Sequence, residues 1–177
     1  VAGGGSWPWQ NPVPALERVL AHLDKRQAGK VVWYGGVPEG REAPWQLPKH
    51  PRLESPGWVD HNQLLKAFAG ATAAIDWMQP NPERKLAFSF RHADYLGCGL
   101  PILTHDDSPL ADIIGKAGWA GSDIEGILDA VLDDSNELRK RSRAARALAR
   151  NHYSNAAALA PLLDWITTGH RHAHSPT

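Results

Sequence analysis

Apolar positions along the chain change period repeatedly, and the changes mark the elements. Val1 to Gly5 reads as a short strand that runs into a glycine turn. After a Trp/Pro loop, Leu16, Val19, Leu20 and Leu23 recur at helical spacing, with Asn11 as N-cap, Pro12 or Pro14 in the first turn and Gly29 as the stop. Lys30–Tyr34 is β-rich and closes on Gly35-Gly36, which predicts a buried strand. Val37 to Pro56 is proline-rich and aperiodic, a long loop, and Gly57–Val59 reads as a strand. A helix is expected over His61–Gly70, with Leu64, Leu65 and Phe68 inward, then a strand over Ala73–Met78.

Gln79–Lys85 reads as a polar loop, Phe90–Gly97 as a helix ended by glycines, and Pro101–Thr104 as a strand. Ser108 caps a helix to Ile114, and Gly118–Ala120 is a minimal strand. Three further helices follow: one capped by Asp123 with Ile124, Ile127, Leu128, Val131 and Leu132 on one face, one capped by Ser135 and running to about Arg150, and one capped by Ser154 and running through Ile166. Alternating strands and helices imply an α/β fold, a doubly wound, Rossmann-like parallel sheet over residues 1–168, with 169–177 as a frayed tail. Ligands of such sheets bind beyond the carboxyl ends of the strands, so the loops after Gly5, Tyr34, Val59, Met78 and Thr104 are the ones to watch.

Composition narrows the classes. The chain has 177 residues, room for one domain with a real core. Lys plus Arg equals Asp plus Glu at 19 each, so nothing drives the chain as a whole toward nucleic acid. The lone Cys98 precludes an internal disulfide and fits the reducing cytoplasm, and no apolar run nears the roughly 20 residues that span a bilayer. The start lacks Met and any signal-peptide pattern, so the chain is expected to be part of a longer protein.

Gly3-Gly4-Gly5-Ser6 would let backbone N–H groups approach an anion or a sugar, or would simply make a tight turn. The dinucleotide fingerprint requires a glycine where Pro8 stands and an acid near Tyr34-Gly35, so NAD binding is disfavoured and no cofactor is expected. Trp7 and Trp9 either stack on a sugar face or pack inward. Phe88 and Phe90 read as core first and pocket wall second. His170, His172 and His174 read as a tail, and His105-Asp106-Asp107 as a loop with no second cluster to complete a metal shell, so no metal site is expected.

The segment Asp94-Tyr95-Leu96-Gly97-Cys98-Gly99-Leu100-Pro101, continued by Thr104-His105-Asp106-Asp107-Ser108-Pro109-Leu110-Ala111, resembles the donor-binding motif of the bacterial group 1 (family four-like) glycosyltransferases, which include sucrose- and glycogen-synthase-like enzymes. The order of elements from Trp58 to about Tyr153 is similar as well. The resemblance implies the nucleotide-sugar-binding half of a two-domain GT-B fold, whose acceptor half, N-terminal in the same protein, lies outside this chain. It implies that Asp94 accepts hydrogen bonds from both ribose hydroxyls, that Phe88-Ser89-Phe90 offers helix-start N–H groups to the diphosphate or sugar, and that Trp58-Val59 meets the base. Gly4, Gly5 and Ser6 complete the expected donor site. Peripheral membrane association of the full-length protein is a further expectation.

The chain departs from the family pattern in three places. The Glu expected eight positions before the second acid falls on Leu86, with Glu83 three residues earlier; the second acid is Asp; and the basic pair after the first strand is absent from Ser6 to Asn11. Arg84, Lys85 or Arg91 are the cations left to face a diphosphate, Arg91 being equally well placed for a helix-surface role. The catalytic residues, and retention or inversion at the anomeric carbon, stay open. Two functions follow: a glycosyltransferase donor domain of hexosyl type, inactive alone, or a non-catalytic interaction module descended from one.

Overall fold

A computed structural model describes residues 11–36, 44–78, 81–86 and 89–168, the side chains of residues 83 and 84 excepted. Helix α1 (Val13–Arg26) starts where the Asn11 side chain accepts the Val13 N–H at 2.9 Å, and it buries Leu16, Val19, Leu20 and Leu23 on one face. It ends at Gln27, which takes the left-handed conformation that allows its N–H to close on the last carbonyls.

The described strands are all parallel and lie in two sheets. β1 (Val31–Tyr34) pairs with β2 (Leu53–Gly57), and β3 (Ala74–Asp76), β4 (Ile102–His105) and β5 (Gly118–Gly121) pair in that order. The strand expected at Val1–Gly5 lies outside the described residues. Between β1 and β3 runs an apolar slot of about 400 Å³, lined by Val31 and Ala74 from the strands, Val19 and Leu128 from one side and Phe68 and Tyr95 from the other.

Three expectations are corrected. β2 occupies Leu53–Gly57, most of it inside the segment read as loop, and ends where the expected Gly57–Val59 strand was to begin; the ladder to β1 passes Pro56, which has no N–H to give, by a shift of register between Val32 and Tyr34. Pro82–Leu86, read as loop, is the short helix α3, begun by the proline that favours a first helical turn. The cap of α7 (Ser135–Leu148) is Asp134, whose carboxylate accepts the N–H groups of Asn136 and Glu137 at 2.9 and 2.8 Å, rather than Ser135.

The remaining helices follow the apolar periods. They are α2 (His61–Gly70), with an Asp60/Gln63 capping box, α4 (Phe90–Gly97), α5 (Leu110–Ile114), α6 (Ile124–Asp133) and α8 (Asn155–Thr168). One core joins α1, β1, β4 and α6 around Leu20, Trp33, Leu103 and Ile124. The other joins α2, α4, β4 and α7 around Phe68, Leu96, Ile102 and Ala145. Among the described residues no helix is long and apolar enough to cross a membrane.

α7 packs closely on the sheet's amino-terminal edge. Arg141 donates to the Gly118 carbonyl and lies over the Trp119 ring at 4.4 Å, while Ser142 Oγ donates to the Gly99 carbonyl at 2.7 Å. A Cβ at Gly118 would run into the Ile102 carbonyl oxygen. Gly118→Ala must therefore separate β5 from β4, and chemical denaturation is expected to show a loss of about 1–3 kcal/mol.

α1 and α6 are laced by ion pairs at helical intervals. Arg18 meets Glu125 at 2.5 Å, His22 meets Asp129 at 2.8 Å, and Arg26 reaches both Asp129 and Asp133. Hydrogen bonds from Arg52, Arg18 and His22 hold the carboxyls of Asp24, Glu125 and Asp129 respectively below their ordinary values. A carboxyl depressed on folding stabilises the fold fully above its unfolded value, and this contribution fades as pH falls through the folded one. The melting temperature is therefore expected to begin falling as pH drops through about 4.5, the ordinary carboxyl range, and to keep falling below it. Asp129→Asn should make the fall shallower; an unchanged slope would show that the pair carries none of it.

Candidate functional site

The site grows from the end of β3. The parallel register sets Asp76 beside Thr104, whose buried hydroxyl donates to the Asp76 carbonyl at 3.2 Å. Trp77, buried next along the chain, meets the His105 ring edge-on at 5.4 Å. The ends of β3 and β4 are thus fixed to each other before the chain turns through α3 into α4.

Helix α4 has two unlike faces. His92, Tyr95 and Leu96 point inward, and Tyr95 packs edge-on against Phe68 at 4.7 Å. Phe90, Asp94 and Gly97 follow one another along the opposite face, with Arg91 beside them. Ser89 caps the helix in extended conformation with no side-chain hydrogen bond, and the first turn carries no acid. A helix start leaves N–H groups without intrahelical acceptors, and its dipole is positive there, so this tip favours an anion.

Arg18, Arg26 and Arg52 each hold a carboxylate. Among the described residues, Lys85, Arg91 and Asp94 join no salt bridge. Asp94 is half-buried one turn beyond the tip, close enough to Cys98 to act on it. Burial first, and the Asp94 carboxylate second, push the Cys98 thiol above its ordinary value, against the guanidinium of Arg146. Gly99, at φ 74°, has that guanidinium packed where a Cβ would stand, which explains the glycine before the apolar-Pro ending.

On the other sheet, Trp58 follows β2 and is 67% exposed, with its indole Nε1 3.6 Å from the position of a Cβ on Gly36. Val59 beside it is half-buried. Lys85 is exposed on α3, and Leu86, where the family pattern has Glu, is 90% exposed. Phe90, expected in the core, is 91% exposed, because its place on α4 is opposite Leu96. Gly4, Gly5, Ser6, Trp7, Trp9, Phe88 and the histidines at 170, 172 and 174 lie outside the described residues. The apolar slot between β1 and β3 is lined by none of the candidate residues. His105, Asp106 and Asp107 cluster within 4.8 Å, with the Asp107 N–H donating to His105 Nδ1 at 3.1 Å.

Two residues at this site escaped the sequence reading. His92 is buried, and its Nε2–H donates to Asp76 Oδ2 at 2.6 Å. The signal was present: His92 precedes Tyr95 and Leu96 by three and four positions, so helical spacing turns it inward.

The sequence pattern of the family described as glycosyl transferase-like matches residues 12–164. The chain belongs to that family. No curated protein matches this glycosyl transferase-like chain. Solved structures do, at identities that speak for the fold. Sucrose-phosphate synthase from Thermosynechococcus elongatus superimposes with a TM-score of 0.68 at 15% identity, over 90% of this chain and 43% of that one. The C-terminal domain of a glycosyl transferase group 1 family protein (LpcC) from Francisella tularensis gives 0.66 at 13% identity, over 87% and 85%. Anabaena Alr3699/HepE in complex with UDP-glucose gives 0.67 at 14% identity, over 94% and 48%. The fold is thus the Rossmann-like half of GT-B, and the chain spans less than half the length of the synthase and of HepE.

The thiol reports on the carboxylate. Alkylation of Cys98 near pH 8 should be slower than that of a free thiol, and Asp94→Asn should speed it several-fold by removing a negative neighbour. An unchanged rate would place the Asp94 carboxylate away from Cys98.

Proposed function

We propose that this glycosyl transferase-like domain binds a nucleoside-diphosphate sugar and serves as the donor half of a glycosyltransferase. The observation that carries this reading is the uncapped start of α4 with Asp94 one turn beyond it, on the open face of the helix. The tip N–H groups and Arg91 suit the diphosphate, and Lys85 lies on the preceding helix. The Asp94 carboxylate suits the vicinal hydroxyls of ribose, since it can accept two hydrogen bonds at once. Trp58, exposed over Gly36, offers an aromatic face to the base, beside Val59. The UDP-glucose bound by HepE supports this ligand class.

The chemistry assigned to this half is electrostatic. As the sugar leaves, negative charge builds on the departing diphosphate, and preorganised N–H groups with a cation stabilise it without reorganisation. The group transferred is of hexosyl type, and the site for the acceptor and any general base belong to another part of the protein, a reading that the partial coverage of the synthase and of HepE supports. A second reading, a binding module without turnover, is favoured by one observation: Leu86 stands exposed where the family pattern carries a Glu.

Calorimetry with UDP and GDP on the wild-type chain and on Asp94→Ala tests the first reading. Losing charge-assisted bonds to ribose should cost about 2–3 kcal/mol, roughly a 30- to 150-fold weaker Kd. Equal affinity of the two proteins would remove Asp94 from the site. Tight UDP binding combined with no transfer by the full-length protein would favour the second reading.

A further inference from the structure

The start of α4 must be held in place if it is to meet a ligand, and its own first turn offers little to hold it. Phe90 points into solvent, Arg91 is half-buried, Ser89 does not cap with its side chain, and the apolar anchors Tyr95 and Leu96 come a turn later. His92 is the one side chain buried in that turn, at 2% exposure. It sits within hydrogen-bond reach of the carboxylate of Asp76, the last residue of β3. Asp76 is itself immobilised by the ladder to β4 and by the Thr104 hydroxyl on its carbonyl.

We propose that His92 is a positioning residue, pinning the first turn of α4 to the carboxyl end of β3 through Asp76. The pin sets where the helix-tip N–H groups stand relative to the diphosphate, and in this it rests on the donor-site reading above. Its logic is leverage. The rear of α4 is fixed by apolar packing, which resists sliding poorly near an end whose described residues carry no large apolar anchor. One short, buried, directional bond to a charged acceptor restrains that end in distance and angle. A binding site built on backbone N–H groups needs this, because its donors move only as the helix moves.

Two variants of the whole chain separate the bond from mere bulk. His92→Gln keeps an N–H that can reach Asp76, whereas His92→Leu fills similar volume without a donor. In the ligand-free protein, exchange of the His92, Ala93 and Asp94 amides, the first of the helix with carbonyls of its own first turn to bond, should speed up about tenfold in the Leu variant and stay within about threefold of wild type in the Gln variant. Exchange in β4 should be unchanged in both. At a temperature where both are fully folded, UDP should bind about tenfold more weakly to the Leu variant, with most of the affinity restored in the Gln variant.

Unchanged exchange at the α4 start in the Leu variant would overturn the pin whatever the protein binds. Equal losses in the Gln and Leu variants would overturn it too, since bulk rather than the bond would then matter. Faster exchange in the Leu variant alone, in a protein whose wild type binds neither UDP nor GDP, would leave the pin as a feature of the fold and defeat the donor reading instead. Should His92→Leu fail to fold, Asp76→Ser, which draws the acceptor back from the imidazole, gives the same exchange comparison against Asp76→Asn, which keeps one.

Discussion

A parallel sheet gathers the ends of its strands along one edge, and each chain segment that leaves that edge must return by a helix. Helix α4, the second after β3, is the one on which this domain turns. Its inner face is committed to Tyr95, Leu96 and His92, so its outer face and its first turn are delivered to the same rim as the ends of β3 and β4. The buried β3–β4–β5 ladder, tightened by Thr104 and by the close approach of Gly118 to β4, is the floor against which this placement is fixed. Without that floor the uncapped helix start would be an ordinary frayed end.

Paired charges tie two helices of the scaffold together. Between α1 and α6, carboxylates and guanidinium groups neutralise each other in a ladder of contacts on the protein surface, and Asp24 is held likewise by Arg52. Such exposed pairs each add little, and salt weakens them further. Around α4 the carboxylate and the cations are left uncommitted among the described residues, on a helix whose dipole already favours an anion.

Much of this was legible in the sequence, for identifiable reasons. Helices with long apolar periods, α1 and α6, declared themselves, and so did the α4 segment, because its Gly-Leu-Pro ending answers a real crowding of Gly99 against Arg146. β2 was hidden by Pro56, whose usual message, that no strand passes here, fails where the ladder shifts register to pass it. Phe90 misled because aromatic residues are read as core, whereas the helix turns this one outward. The His92–Asp76 pair joins residues sixteen apart in sequence. Each alone has an ordinary explanation, and only the packing of α4 on β3 makes them partners.

The central claim is that the start of α4 and the rim around it receive a nucleoside diphosphate. Backbone amide and indole NMR signals followed during a titration with UDP address it most directly, since they locate the ligand without presuming its chemistry. The account predicts saturable shifts of the Ser89, Phe90 and Arg91 amides together with the Trp58 indole N–H, and none at the distant Glu125 or Asp133. Saturation that moves the α1–α6 surface, or leaves the Ser89–Arg91 amides unmoved, would contradict it.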